Sequence, residues 1–150
     1  MTYVLDTNIL VHTLRDSPIF HQIENQFDPY GLQNEAIIST VSVGEIYSFA
    51  KRNHWGKNKM YKVKELFKSL KVIAVEGEDM METYADIDAF SQSSHPTLSL
   101  RGSARKMGKN DLWIAATAFV FDSVLLTTDA DFNHLHNVFI QVEYIPPIIK

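Results

Sequence analysis

The sequence contains no cysteine. This absence excludes disulfide bonds, thiolate zinc sites, iron–sulfur clusters and catalytic thiols, and it fits a reducing compartment. Long apolar runs are also missing, because the longest one, residues 112–121, is far too short to cross a bilayer. The first residues, MTYVLDTN, show no basic region of the kind that starts a signal peptide. We therefore expect a soluble, cytoplasmic protein without membrane association.

The chain has 150 residues, of which 45% are hydrophobic and 21% are charged. These values are typical of one globular domain, here residues 1–150, with enough apolar side chains to form a core. The formal net charge of −4 argues against a protein that binds nucleic acid by its overall charge alone.

Strand-like and helix-like segments alternate along the chain. The pattern predicts strands at 3–5, 36–39, 72–75, 123–127 and 139–144, and helices at 8–15, 19–27, 43–52, 59–70, 79–90, 111–121 and 130–135. Ser42 and Asn110 are the predicted N-caps of two of these helices. The alternation predicts an α/β fold, a three-layer α/β/α sandwich around a mainly parallel central sheet.

Four acidic residues lie close to the ends of predicted strands or at helix starts. Asp6 follows the first strand, Asp129 follows the fourth, Glu45 lies in the helix after the second, and Asp111 opens an apolar helix. In a parallel sheet all four can meet at the carboxyl edge, where ligands of such folds bind. Carboxylates brought together repel one another unless a cation neutralises them, and Mg²⁺ or Mn²⁺ suits carboxylate and water ligands. Each acid also has an ordinary structural explanation as a cap, a turn residue or an exposed side chain.

Four segments around these acids resemble the four sequence blocks of PIN-domain nucleases, and in particular the VapC-type toxins of bacterial toxin–antitoxin pairs. The segments are residues 4–8 (VLDTN), 42–46 (SVGEI), 110–118 (NDLWIAATA) and 126–132 (LTTDADF). They occur in the order found in the family and span nearly the whole chain. The resemblance implies a PIN-like fold, an endoribonuclease activity that hydrolyses RNA, an antitoxin protein as partner, and a possible homodimer.

The resemblance also implies one set of residues that both bind a metal ion and catalyse the reaction: Asp6, Glu45, Asp111 and Asp129. The implied cofactor is Mg²⁺ or Mn²⁺, as one or two ions that bind the scissile phosphate and activate a water molecule. Asn8 and Thr127 resemble the residues that support this site by hydrogen bonds. Asp131 is an alternative to Asp129 as the fourth acid, because side chains alternate along an extended segment.

Positive charge is concentrated in two segments, 51–71 and 101–109, which hold twelve of the fourteen lysine and arginine residues. The second segment ends just before Asp111, and it supplies the predicted substrate-binding residues Arg101, Arg105, Lys106 and Lys109. Two interpretations of segment 51–71 remain open. It contacts phosphates, with base stacking by His54, Trp55 or Tyr61, or it is the exposed lysine face of an amphipathic helix.

Two other functions are compatible with these residues. A phosphatase with Asp6 as its nucleophile usually needs a second acid two residues later, where this chain has Asn8. A non-catalytic RNA-binding domain would use the acids only as helix caps, so that Asp6→Asn would leave its function intact.

The six histidines form no recognised metal-binding motif such as HExxH. His134 and His136 are two residues apart, which is a weak metal signal. We expect both side chains to lie at the surface.

Overall fold

A computed structural model describes residues 1–147 of the chain. The strands are β1 (Thr2–Leu5), β2 (Glu35–Ser39), β3 (Lys71–Ile73), β4 (Val124–Thr127) and β5 (Gln141–Tyr144). The α-helices are α1 (Thr7–Arg15), α2 (Pro18–Gln26), α3 (Thr40–Arg52), α4 (Lys57–Lys68), α5 (Glu78–Ser91) and α6 (Lys109–Val120), and a 3₁₀ helix covers Ala130–Leu135. None of the helices described for residues 1–147 has the length and apolar character needed to cross a membrane.

The strands form one sheet in the order β3-β2-β1-β4-β5, and every pair of neighbours is parallel. The chain builds outward from β1 through β2 to β3, and it returns to the other side of β1 with β4. All carboxyl ends of the strands therefore lie at one edge of the sheet, and the direction of winding changes between β1 and β4. Such a switch point leaves a crevice where open α/β sheets bind ligands.

Helices cover both faces of the sheet because the buried strands are apolar on both sides. In β1, Val4 points to the face covered by α5, α6 and the 3₁₀ helix, whereas Tyr3 and Leu5 point to the face covered by α1 to α4. The predicted three-layer α/β/α sandwich with a parallel sheet is confirmed.

Helix α6 is almost wholly buried, as its apolar sequence predicts. It packs against α5 and also contacts α3 and the sheet, and its small residues Ala115, Ala116 and Ala118 are fully buried. Small side chains allow close packing on several sides at once. The amino end of α6 is therefore held firmly beside α3 at the carboxyl edge of the sheet.

Two predicted helix caps are wrong. Helix α3 begins at Thr40, and its N-cap is Ser39, whose Oγ accepts a hydrogen bond of 3.1 Å from the Val41 amide. The chain thus passes from β2 into α3 without a loop, and Ser42 lies buried inside the helix. Helix α6 is capped by Gly108, so that Asn110 is already the second helical residue.

The strand ends also differ from prediction where pairing partners run out. β3 ends at Ile73 because Ile73 pairs with Ser39, the last residue of β2, and nothing is left for Val75 to pair with. β5 begins at Gln141 and not at Phe139, whose ring packs edge-on against Phe90. Edge pairing and aromatic packing, which depend on the tertiary fold, decide these boundaries.

Candidate active site

Four acidic residues meet at the carboxyl edge of the sheet, around the switch point between β1 and β4. Asp6 directly follows β1, and Asp129 lies two residues beyond the end of β4. Glu45 lies on the second turn of α3, and Asp111 lies in the first turn of α6. The charges of Asp6, Glu45 and Asp129 all raise the pKa of Asp111, so the four carboxyls form one electrostatic group.

Asp6 is the most buried member of this group, with an exposed fraction of 4%. It is the N-cap of α1: its Oδ1 accepts a hydrogen bond of 2.7 Å from the Thr7 amide. Its Oδ2 accepts a hydrogen bond of 2.7 Å from the Thr127 hydroxyl. Both bonds favour the ionised form, but desolvation outweighs them and, with the charges of Asp129 and Glu45, raises the pKa of Asp6 to about 6.

Thr127, the last residue of β4, connects Asp6 with Asp129. Its Oγ1 donates to Asp6 and accepts a hydrogen bond of 2.9 Å from the Asp129 amide. Its side chain is fully buried, so this hydroxyl has a fixed environment. Thr127 therefore sets the position of two acids that belong to neighbouring strands.

Thr7 has a similar part on the other side of Asp6. Its hydroxyl donates a hydrogen bond of 2.8 Å to Glu45 Oε1 and lies 2.9 Å from Ser42 Oγ. Sequence reasoning missed both contacts. Two signals were available in the sequence. Thr7 belongs to the DTN segment, and Ser42 lies three residues before Glu45, a spacing that puts the side chains of Ser42 and Glu45 on one face of α3.

The pKa of Asp111 is raised further than that of Asp6. Burial and the surrounding charges raise its pKa to about 7, and the residues whose charges act on it are all acidic: Asp6, Asp129, Glu45 and Asp131. The carboxyl thus lies in an excess of negative charge, which a bound cation would relieve.

Asp129 and Asp131 differ in their surroundings. Asp129 is half-buried, and its charge raises the pKa of both Asp6 and Asp111. Its Oδ1 accepts a hydrogen bond of 2.9 Å from the Asp131 amide, which starts the 3₁₀ helix. Asp131 itself is exposed. This geometry favours Asp129 as the fourth acid of the group.

The family model of the PIN domain matches residues 3–137. The chain belongs to the PIN-domain family. No curated protein sequence matches this PIN domain significantly.

Several solved structures share the fold of this PIN domain. It is similar to VapBC2 from Rickettsia felis, bound to a promoter DNA fragment, with 20% identity, 96% of this chain and 98% of that chain covered, and a TM-score of 0.73. DNA-bound VapBC from Salmonella typhimurium has 18% identity, the same coverages of 96% and 98%, and a TM-score of 0.71. VapBC-5 from Mycobacterium tuberculosis, of the VapBC family of toxin–antitoxin systems, has 18% identity, coverages of 97% and 98%, and a TM-score of 0.61.

The donor set of the PIN domain fits a hard divalent cation. As the side chains lie, no three acidic or histidine residues within residues 1–147 are close enough to hold an ion directly. Asp6 and Glu45 instead use oxygens to accept hydrogen bonds from Thr7 and Thr127. Each carboxylate keeps further lone pairs, and Mg²⁺ retains several waters and needs few direct carboxylate ligands. A cluster of four carboxyls, in which the pKa values of Asp6 and Asp111 are raised, therefore suits a hydrated ion.

The other predicted site residues lie in segments next to Asp6 and Asp111 along the chain. Asn8 is exposed, and its side chain forms no hydrogen bond within residues 1–147. Arg101, Arg105 and Lys106 are exposed on the connection between α5 and α6, and Lys109 is the first residue of α6. This basic connection thus ends directly at the helix turn that carries Asp111.

The basic connection is anchored by Ser91, the last residue of α5. The Ser91 carbonyl accepts a hydrogen bond of 2.8 Å from the Arg105 amide, and its Oγ lies 3.4 Å from Met107 Sδ. The same Oγ lies 2.7 Å from Nε2 of His134, in the 3₁₀ helix that follows Asp129. His134 is half-buried, so the expectation that it lies at the surface is wrong, whereas His136 is exposed. Sequence reasoning missed this anchor.

Segment 51–71 is divided between the core and the surface. Helix α4 is amphipathic, with Val63, Leu66 and Phe67 packed in the core and its lysines exposed. Trp55 is half-buried and packs edge-on against Phe49, whereas Tyr61 and His54 are exposed.

The raised pKa values predict that the metal-free protein loses stability as the pH rises. Between the ordinary value of 3.8 and about 7, folded Asp6 and Asp111 hold protons that the unfolded chain has released, so the free energy of unfolding falls with pH. We expect Tm in EDTA to fall less between about pH 5 and about pH 8 in Asp111→Asn than in the wild type. Asp122→Asn, an exposed change at the amino edge, is the control and should follow the wild type. Equal slopes for all three proteins would contradict the grouping of these acids.

The two hydrogen bonds of Thr127 predict a cost for removing its hydroxyl. Thr127→Val leaves the Asp129 amide and one Asp6 oxygen without a partner, and we expect a loss of about 1–3 kcal/mol in the free energy of unfolding. Thr117→Val is the matched control, because Thr117 is equally buried but its hydroxyl contacts the Trp113 carbonyl of its own helix and Met80 Sδ, and neither partner is an acid. Urea denaturation measures the free energy of unfolding of both variants. Similar losses in the two variants would show that the hydrogen bonds of Thr127 stabilise the fold no more than those of any buried threonine.

Proposed function

We propose that this PIN domain is a metal-dependent endoribonuclease that hydrolyses RNA phosphodiester bonds, with Mg²⁺ or Mn²⁺ as its cofactor. The observation that carries the proposal is the meeting of Asp6, Glu45, Asp111 and Asp129 at the switch point of the sheet, where burial raises the pKa of Asp111 and every charge that adds to this rise is acidic. A structural cap needs one carboxylate, and it gains nothing from three like charges nearby.

The proposed reaction needs no protein nucleophile. When bound, the divalent ion supplies positive charge to the scissile phosphate and lowers the pKa of a water molecule. Asp6, Glu45, Asp111 and Asp129 would hold the ion, directly or through water. Thr127 and Thr7 orient Asp6 and Glu45 through the hydrogen bonds described above. A phosphatase with Asp6 as its nucleophile is disfavoured, because exposed Asn8 stands where that chemistry uses a second acid.

We further propose that the protein acts in the cytoplasm as the toxin of a toxin–antitoxin pair, with a cognate antitoxin as partner and a possible homodimer. Support comes from the fold, which this chain shares over nearly its whole length with the VapBC structures. Those structures bear the names of two-component complexes, and two of them contain DNA. The antitoxin would be recognised by co-purification when its gene is expressed together with this one.

The nuclease proposal predicts that one oxygen-to-nitrogen change removes activity. Asp6→Asn keeps the size of the side chain but removes a charged ligand, and we expect RNA cleavage to fall on the order of 100-fold or more. EDTA should abolish wild-type cleavage, and added Mg²⁺ or Mn²⁺ should restore it. Asp122→Asn serves as the matched control and should cleave normally.

Cleavage by Asp6→Asn at the wild-type rate would contradict the metal-nuclease proposal. RNA binding that survives Asp6→Asn and EDTA, without cleavage under any metal condition, would favour the non-catalytic RNA-binding domain instead.

The basic connection predicts an electrostatic contribution to substrate binding. Arg101→Ala combined with Arg105→Ala should weaken RNA binding and reduce the steepness of its salt dependence, because two phosphate contacts are lost. Fluorescence anisotropy of a labelled RNA in EDTA measures both quantities. A salt dependence identical to that of the wild type would show that these arginines are only surface charges.

A further inference from the structure

Two arginines from different helices meet over one aromatic ring beside the acidic group. Arg15 is the last residue of α1, Arg52 is the last of α3, and their guanidinium carbons lie 5.5 and 5.9 Å from the centre of the Phe49 ring. Both side chains are exposed, and within residues 1–147 neither forms an ion pair with an acid. Two cations without an acidic partner thus lie against the same aromatic ring.

A series of neighbouring cavities, which share lining residues, extends from Glu45 to these arginines and beyond. A cavity of about 330 Å³ is lined by Glu45, Arg15 and Arg52 together with Asn8. A second, of about 430 Å³, shares Glu45 and Arg52 and extends to Asn110, next to the end of the basic connection.

A third cavity, of about 440 Å³, shares Arg15 and continues to Trp55, Lys59 and Lys62. Neighbouring cavities therefore share lining residues from Asn110 to Lys62. We call the part lined by Arg15, Arg52, Phe49, Trp55, Lys59 and Lys62 the arginine groove.

We propose that the arginine groove binds the phosphodiester backbone of single-stranded RNA on one side of the bond that is cleaved, with Arg15 and Arg52 in contact with its phosphates. This inference rests on the proposed function, since it assigns a path to that substrate. The basic connection, at the Asn110 end, would then contact the strand on the other side of the acids.

The chemistry of the groove suits phosphate more than a structural role. A guanidinium offers a planar fork of donors that matches phosphate oxygens, and a ring beneath it limits its freedom before binding. An arginine at the carboxyl end of a helix also interacts favourably with the helix dipole. This interaction alone could explain why Arg15 ends α1 and why Arg52 ends α3. The dipole does not explain why both guanidiniums lie over Phe49, beside a cavity that begins at Glu45.

The outer part of the groove suits an unpaired strand. The Lys59 amine lies 5.6 Å from the centre of the Trp55 ring, so cations and aromatic rings are interleaved along the groove. Proteins that bind single strands combine these two features, because backbone phosphates meet the cations and bases meet the rings. The lysines of segment 51–71 therefore fall into two kinds. Lys59 and Lys62 line the groove, whereas Lys64 and Lys71 are exposed outside it.

The test compares two double variants with the same change in net charge. Arg15→Ala with Arg52→Ala should lower the affinity for a labelled single-stranded RNA by about 10-fold or more and flatten its salt dependence by about two phosphate contacts. Lys64→Ala with Lys71→Ala is the control and should change the affinity less than about 3-fold. Anisotropy in EDTA prevents cleavage during the measurement. Equal effects of the two pairs, or no effect of the arginine pair, would overturn the proposal.

Three further arms make the result specific. Arg15→Lys with Arg52→Lys keeps the charge without the fork, so it should recover part of the affinity even if the alanine pair folds poorly. Single-stranded DNA of the same sequence should lose a similar factor in the alanine pair, because the contacts are to the backbone. Duplex RNA should bind more weakly than the single strand, and equal or tighter duplex binding would overturn the single-strand assignment.

Cleavage kinetics separate this inference from the nuclease proposal. Arg15→Ala combined with Arg52→Ala should raise KM and leave kcat nearly unchanged. Asp6→Asn should instead lower kcat strongly. Cleavage with an unchanged KM in the arginine variant would overturn the groove and leave the nuclease intact. If the wild-type protein cleaves RNA under no metal condition but its RNA binding still depends on the two arginines, the nuclease proposal is overturned and the groove remains as an RNA-binding site.

Discussion

Repulsion among carboxylates at the switch point is the constraint on which the arrangement of the site depends. Asp6 is buried because it caps α1 at the centre of the sheet, and this position brings it next to Asp129, Glu45 and Asp111. Two threonine hydroxyls hold the group together: Thr127 joins the ends of β1 and β4, and Thr7 joins α1 to α3. At Asp6, burial raises the pKa to about 6, because the hydrogen bonds from the Thr127 hydroxyl and the Thr7 amide offset only part of the cost of the buried charge. The fold therefore maintains a strained electrostatic arrangement, as functional sites commonly do.

Much of the fold could be predicted because its signals are local. The apolar runs that end at Asp6 and before Asp129 fix the strands, and a helix that is apolar on all sides, like α6, must be buried. The four acids followed from the same reasoning, since parallel strands bring their carboxyl ends to one edge. The family resemblance adds the expectation that these acids act together as one metal site.

The remaining features could not be predicted because they join distant parts of the chain. The contacts of Thr7 with Ser42 and Glu45 span 35 and 38 residues, and the contact between Ser91 and His134 spans 43. Such contacts depend on helix packing, which no sequence window contains. The cap of α3 shows a subtler limit, because Ser39 and Ser42 are equally good capping residues. Only the length of β2, set by its pairing, selects Ser39.

The charge distribution is compatible with the proposed RNA substrate, although the protein as a whole is acidic. An acidic group alone repels a nucleic acid, even when a bound ion cancels part of its charge. Here Glu45 lines a cavity together with Arg15 and Arg52, and the basic connection leads along the chain into the helix turn that carries Asp111. Phosphates on either side of the cleaved bond would meet these cations, so the cost of placing the central phosphate at the acids is shared along the strand. The net charge of −4 therefore conceals the relevant quantity, which is the alternation of charge along the cavities.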